Sequence, residues 1–587
     1  MEVELERKLG GSTRVANEQW VYDSSVDHKG RVPLRSSTGV WKASFFTLAL
    51  EFSERLSYFG IITNLINYLT QVLNQDVKTA AKNVNYWFGV ALTVPLIGGF
   101  LADAYWGRFK TVVIASVMYL LGFCLLTMSQ FVPSLKPCET DACDKPRPAH
   151  EIVFFVSMYI ISVATGAHKT SLESFGADQF DENHIEERKK KMSFFNWWNS
   201  AISFGFLLAV TFLVYIQDYV SWGVSDIIIL SIMTVSLGIF LCGIPHYRYS
   251  VPRGSPLTPL AQVLVAAFAK RNLPYPASPD QLYELSESER GNLRILCHTN
   301  NLRFLDKAAI IEGQDVQAIE KKNTWRLATV TQVEEIKLVL NVIPIWLGAL
   351  LFGVVNAQGT SFFIKQGSSM NRKLTHNFTM PTASMYSFSA VAIMVTIAVY
   401  EKVVIPRLRR IKNNERGLTI LQRVGIGLGV SILVMISAAV VERKRLNSID
   451  TKQPSGGPSI SVFWLTPQFI FLGIGDAFAL VGLQEFFYDQ VPDSMRSLGM
   501  ALYLSVIGVA SFLTNLLITI IDRVTEKFSS NSWFSRDLNK SRLDHFYWFL
   551  AVLSGMNLCA YVVLAKRYSY KSVQNIEEIE EEGIISG

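Results

Sequence analysis

Charge is what this sequence has least of. Only 18% of its 587 residues are Asp, Glu, Lys or Arg, against about 25% in soluble domains, and they gather into a few segments. Half the residues are hydrophobic and mean hydropathy is +0.25, which excludes a chain whose bulk dissolves in water. Cysteine is scarce too: six residues, widely scattered, do not make a disulfide-built scaffold. The eight histidines are dispersed. No His or Cys set has metal-ligand spacing, and neither a Gly-rich phosphate loop nor a nucleophile elbow occurs, so an enzyme is not expected. Net charge is only +6, without a basic stripe interleaved with aromatics, so nucleic acid is not an expected partner. The N-terminal segment is polar and lacks the short apolar core of a cleavable signal peptide, which leaves the first span as an uncleaved anchor.

Long apolar runs take the place of these features. Stretches able to cross a hydrocarbon core of about 30 Å lie at 41–69, 84–105, 109–132, 151–173, 194–217 and 223–245, and again at 336–363, 380–400, 417–441, 460–486, 497–521 and 544–565. Six and six predict an all-α membrane protein of two six-helix halves, 41–245 and 336–565, set in a lipid bilayer. A charged segment at 246–335, with helix-forming runs at 286–294 and 318–326, reads as a cytosolic linker. Residues 1–40 read as a cytosolic segment, and 566–587 as an acidic cytosolic tail. Basic clusters occur on both sides, so the positive-inside rule does not decide orientation. The two Asn-X-Ser/Thr sites, Asn377 and Asn539, both fall opposite the termini and are candidate glycosylation sites, which favours cytosolic termini. Cys138 and Cys143 lie on that same face, as a disulfide in an oxidising compartment or as a reduced pair.

One run carries charge where a bilayer makes charge expensive. Glu51, Glu54 and Arg55 lie inside 41–69 and share a helical stripe with Tyr58. An ionisable residue at mid-membrane costs about 2.5–3.5 kcal/mol on insertion scales, so the stripe turns toward a bundle interior or a water-filled pathway. The alternative is an ion pair that only locks helices together. One arginine, however, does not neutralise two carboxylates.

Other polar groups mark the fourth, seventh and tenth spans. Lys169 and Glu173 stand one turn apart, with His168 beside them as a candidate proton relay or as polar packing. Glu485 is flanked by apolar residues and is a natural cross-half partner for Lys169, which could instead pair with Glu173. Asp476 lies within the same apolar span as Glu485, as a second carboxylate there or as the cap of a helix irregularity. Asn356, Gln358 and Thr360 offer neutral groups of the kind that line a pocket or hold helices together. Between the second and third spans, Asp103 can pair with Arg108 or with a helix N-terminus, across glycines that permit a tight turn.

Taken in order, these segments resemble the proton-coupled oligopeptide transporter family of the major facilitator superfamily, most closely its plant nitrate transporter 1/peptide transporter branch. The resemblance covers 41–566 and rests on E-x-x-E-R at 51–55 followed by SYFGI, GGFLADAYWGRF at 98–109, FGADQFDE at 175–182, FFNWWNS at 194–200, RFLDKAA at 303–309, and LQEFFYDQVPDSMRS at 483–497. It implies the superfamily fold with 12 transmembrane helices. It also implies Glu51, Glu54 and Arg55 as the proton-coupling group, with the proton as coupling ion and no other cofactor. Lys169 and Glu485 would form a gating salt bridge, and Arg55, Tyr58, Lys169, Asn356, Gln358 and Thr360 would meet the solute. Thr111 is a candidate phosphorylation site for a regulatory kinase. The sequence departs from the family pattern at Thr170, Glu173 and Asn356. Asn356 replaces a nitrate-binding histidine and cannot carry positive charge. The expectation is a proton-coupled symporter of a small anionic or zwitterionic solute, a di- or tripeptide or another carboxylate-bearing metabolite, in the plasma or vacuolar membrane. The alternative is a nitrate or chloride transporter of the same fold.

Overall fold

The computed structural model describes residues 19–570 apart from 138–145, 276–281, 285–295, 312–324, 413–417, 450–459 and a few short gaps. The expected acidic run near the C-terminus and most of the two linker runs at 286–294 and 318–326 lie outside the described residues. Among the described residues there are helices and isolated bridges but no strand. The first half contains α1 (Val40–Ile62), α2 (Val77–Thr93), α3 (Arg108–Phe131), α4 (Pro148–Ala177), α5 (Ile185–Leu208) and α6 (Trp222–Cys242). The second contains α7 (Val330–Thr360), α8 (Tyr386–Val399), α9 (Ile420–Asn447), α10 (Thr466–Gln490), α11 (Arg496–Phe528) and α12 (Leu543–Arg567). Among the described residues, eleven spans are long and apolar enough to cross a membrane by length and composition. The remaining one of the twelve, α1, is the helix whose apolar run is broken by Glu51, Glu54 and Arg55.

Local chemistry sets the helix ends. Thr329 with Gln332, and Thr419 with Gln422, form reciprocal capping boxes that start α7 and α9. After α2, Pro95 cannot donate the next helical bond, and the chain continues as a second piece, Pro95–Leu101, and a widened turn, Ala102–Trp106. Gly107, at φ 80°, then reverses the chain into α3, a conformation that strains any residue with a Cβ. Asp103 on this corner pairs with Arg108 at 2.9 Å, and Arg108 reaches Asp178 at 2.6 Å, tying the turn to the end of α4.

The face that carries the linker is densely strapped. The segment before α1 is held by Arg35, which pairs with Asp181 and Glu187. Arg248, fully buried after α6, pairs with Glu187 at 2.7 Å and donates to the Thr38 carbonyl at 3.0 Å. The described parts of the linker pack against the bundle. Its helix Leu257–Ala269 and the turn Arg303–Ala309 bury Val263, Ala266, Leu305 and Ala308 against Val333 and Ile336 of α7. Beneath that core the Lys337 ammonium lies 2.6 Å from Asp306 and 2.7 Å from Glu334.

On the opposite face, the two halves grip each other. Lys78 of α2 pairs with Asp522 of α11 at 2.9 Å. One turn or two deeper, Asn85 donates to Asn515 at 3.0 Å, while Asn515 donates to the Lys82 carbonyl at 2.9 Å. Lys365, just past α7, donates to Thr70 at 3.0 Å, and Ser384, just before α8, donates to the Val210 carbonyl at 2.7 Å. Close helix approach lets these short side chains meet: Gly508 of α11 sits where a Cβ would strike Thr93 of α2. These cross-half bonds close the bundle at its far side.

Candidate functional site

Helical pitch alone brings Glu51, Glu54, Arg55 and Tyr58 to one stripe of α1, and all four are buried, at 3% exposure or less. Arg55 is the hub. Its Nε lies 2.8 Å from Glu51 and a terminal nitrogen lies 2.7 Å from Glu54. Tyr119 of α3 donates to the other Glu54 oxygen at 2.7 Å and also meets the Thr165 hydroxyl of α4. A charge-assisted bond of this kind is about twice as strong as a neutral one, so Glu54 is held by Arg55 from its own helix and by Tyr119 from α3.

Lys169 of α4 stands across from this group. Its ammonium lies 5.5 Å from the centroid of the Tyr58 ring, a cation–π contact, and Arg55 lies 5.8 Å from the same ring. Tyr58 in turn stacks on Trp87 at 5.8 Å. Glu173 is within electrostatic reach of both Arg55 and Lys169. Three acids, Glu51, Glu54 and Glu173, therefore face two bases, Arg55 and Lys169. The cluster balances when it holds one proton.

The second half supplies the facing wall. Asn356 of α7 donates to Asp476 of α10 at 2.8 Å, so Asp476 is one member of a pair rather than the cap read from sequence. Tyr503 of α11 lies within electrostatic reach of Asp476, Glu173 and Arg55, and Tyr386 within reach of Asp476 and Tyr58. These two hydroxyl-bearing rings thus stand between the charged groups of both halves. Lys169, Glu173, Asn356 and Asp476 all keep partial exposure although they sit well inside their helices. Each of the four is thus reached by solvent from its own side.

Several expected arrangements differ. In this conformation Lys169 and Glu485 do not form the expected gating bridge. Glu485 pairs instead with Arg423 of α9 at 3.2 Å, and its side chain is 40% exposed. The physical reason is the grip at the far side, which leaves the two halves apart where α4 and α10 approach the linker face. Lys169 does not pair with Glu173 either. Gln358 is fully buried and donates to the Val354 carbonyl of its own helix, and buried Thr360 bonds back to Ala357. Neither bonds across to another helix, whereas Asn356 does. Thr111 is 1% exposed with its hydroxyl donated to the Gly107 carbonyl, which keeps it from a kinase in this conformation. Asn539 is exposed and accepts from Arg445 at 2.7 Å. Asn377, Cys138 and Cys143 lie outside the described residues. Sequence reasoning missed Tyr119, Tyr386, Tyr503 and Arg423, because no spacing rule links a tyrosine or arginine to a carboxylate on another helix.

Comparison with known proteins shows the family and the fold. The profile of the POT family matches residues 109–534. The protein NRT1/PTR FAMILY 5.6 of Arabidopsis thaliana is 57% identical over 557 residues, covering 95% of this chain and 96% of the relative. NRT1/PTR FAMILY 5.7 of the same plant is 55% identical over 559 residues, with 95% and 93% covered. Among solved structures, an auto-inhibited POT family peptide transporter superposes with a TM-score of 0.67 at 20% identity, over 91% of this chain and 98% of its own. The POT family transporter PepTSo gives 0.67 at 17% identity, over 90% and 98%. At such low identity these structures show the fold, that of the major facilitator superfamily. The chain therefore belongs to the POT family, in its NRT1/PTR group of multi-pass membrane transporters, and is a carrier rather than an enzyme.

Proposed function

We propose that this carrier is a proton-coupled symporter of a small zwitterionic or carboxylate-bearing solute, such as a di- or tripeptide, working by alternating access. The observation that carries the reading is the excess of one buried carboxylate over the cations in the Glu51, Glu54, Arg55, Lys169 and Glu173 cluster. A proton arriving on Glu51 or Glu54 removes that excess and loosens the hold on Arg55. The guanidinium and the free Lys169 ammonium then offer a solute carboxylate two cations. Charge transfer between partners is enough to move the equilibrium: breaking a buried pair is worth about 3–5 kcal/mol, more than the few kcal/mol that separate two conformations.

Asp476 favours a zwitterion over a bare inorganic anion. Its carboxylate is bonded by Asn356, and Tyr503 lies within reach of it and of Glu173 and Arg55 of the first half; a solute ammonium gains from it and nitrate or chloride gains nothing. Uptake of a solute panel in oocytes or proteoliposomes, at a mildly acidic and at a neutral external pH, tests the reading. Acid-stimulated uptake of peptides should fall about tenfold or more in Glu54→Gln, a change of about 1.4 kcal/mol in transition-state terms. Unchanged acid-stimulated uptake in that variant overturns the assignment, and an anion-evoked current indifferent to competing peptides overturns the solute class.

A further inference from the structure

Helix α4 holds two buried histidines in opposite circumstances. His150, near its start, is fully satisfied: one ring nitrogen meets the Tyr68 hydroxyl at 2.9 Å, the other the Leu135 carbonyl at 2.9 Å. His168, five turns on and also 0% exposed, has no partner on either ring nitrogen. The same division runs through the hydroxyls of the helix. Ser157 bonds the Val153 carbonyl, Ser162 the Trp87 carbonyl and Thr165 the Ile161 carbonyl. Thr170 and Ser171 are buried without a partner. Buried polar groups are normally bonded, and one that is not calls for an explanation. Here three of them gather within a single turn of the helix, beside the charged cluster.

His168 meets Tyr119 edge to face, with ring centroids 5.8 Å apart, and Tyr119 is the residue that donates to Glu54. The ionisable groups facing the imidazole are Glu54 and Arg55 from α1 and Tyr119 from α3. Thr165, His168 and Ser171 lie on one stripe of α4 at spacings of three residues. We infer that His168 is a proton-holding residue of the coupling site, exchanging a proton with Glu54 during the transport cycle. The inference rests on the symport reading given above.

The step needs no redox partner. The O–H bond of the protonated Glu54 carboxyl breaks and an N–H bond forms on the imidazole, directly or through one bridging water beside the Tyr119 hydroxyl, giving a carboxylate and an imidazolium. Its timing follows from Coulomb's law. While Arg55 grips Glu54, a positive ring beside it is repelled by the guanidinium. Once Arg55 turns to a solute carboxylate, Glu54 loses its counter-charge, and an imidazolium next to it restores the balance.

Solid-state 15N NMR of the full-length, histidine-labelled protein in lipid tests this, with His168→Asn and His168→Gln assigning the ring signal. The His168 ring should change between neutral and protonated forms across mildly acidic to neutral pH. Its midpoint should move by about one unit, tenfold in proton affinity, in Glu54→Gln. Tyr119→Phe serves as a second perturbation if Glu54→Gln fails to fold. A ring that stays in one form throughout, or titrates identically in wild type and variants, overturns the inference. Uptake of alanyl-alanine separates the two claims. Loss of acid stimulation in His168→Gln, with neutral-pH uptake lowered less than threefold, supports a proton role, while equal loss at both pH values marks a structural role and overturns it. Absence of acid stimulation in the wild type counts against the symport reading alone, and the NMR titration still decides the role of His168.

Discussion

Arg55 shows how much one side chain can do that its nearest substitute cannot. Its Nε serves Glu51 and its terminal nitrogen serves Glu54, so the planar fork satisfies two carboxylates at once. An ammonium is a point charge on a flexible stem. Arg55→Lys should therefore leave one of the two acids unpaired at the bundle centre, costing about 3–5 kcal/mol of the folded state. Thermal unfolding in detergent should drop, and uptake should fall even at the external pH most favourable to the wild type. Unaltered unfolding in that variant would mean that the second carboxylate already carries a proton. The stripe itself was legible in the sequence, because helical pitch is a property of the chain alone. The partners were not. Tyr119, Tyr503 and Arg423 reach the site from helices whose rotation is set by packing, and nothing in their local sequence records which way they face. Gln358 and Thr360 show the converse: polar residues next to Asn356, which reaches Asp476 on another helix, yet turned back onto their own helix.

At the level of elements, α2 and α11 form the seam that shuts the far side. The Lys78–Asp522 pair lies at its rim, with side chains 27% and 12% exposed, so its strength belongs to the partly solvated range of about 0.2–1 kcal/mol. That is a weak latch, suited to opening and closing in every cycle. Asp522→Asn should raise the share of molecules open at the far side by at most about fivefold. The change can be read as faster labelling of a cysteine placed in the α2–α11 seam by a membrane-impermeant reagent. Exchanging the charges, Lys78→Asp with Asp522→Lys, should return labelling toward the wild-type rate. If the single and the exchanged variants label alike, the pair does not hold the seam. The existence of both helices was readable from their apolar runs, and so was the small residue Gly508. Their pairing was not readable, since it joins positions in opposite halves of the chain.

For the whole molecule, the folded linker decides which parts move together. Its apolar core is shared with the first turns of α7, and the Lys337 ammonium is shared between Asp306 of the linker and Glu334 of α7. The sequence showed a charged linker with helix-forming runs between two six-helix sets and did not show what the linker packs against. The apolar contacts of the turn 303–309 were hidden because they are spread over short pieces with no common period. Under the proposed alternating access, a linker welded to α7 travels with the second half, so its relation to the first half is the one that changes. Lys337→Met should strand two buried acids and loosen this weld by about 3–5 kcal/mol. Protease cleavage within the linker should then become faster while helix content, followed by circular dichroism, stays at the wild-type level. A crosslink from the turn 303–309 to α7 should leave uptake intact, since both ends ride on one body, whereas a crosslink from that turn to α4 should stop it. Equal loss of uptake from both crosslinks would mean that the linker shifts against α7 in each cycle, and the moving unit would then have to be smaller than a six-helix half.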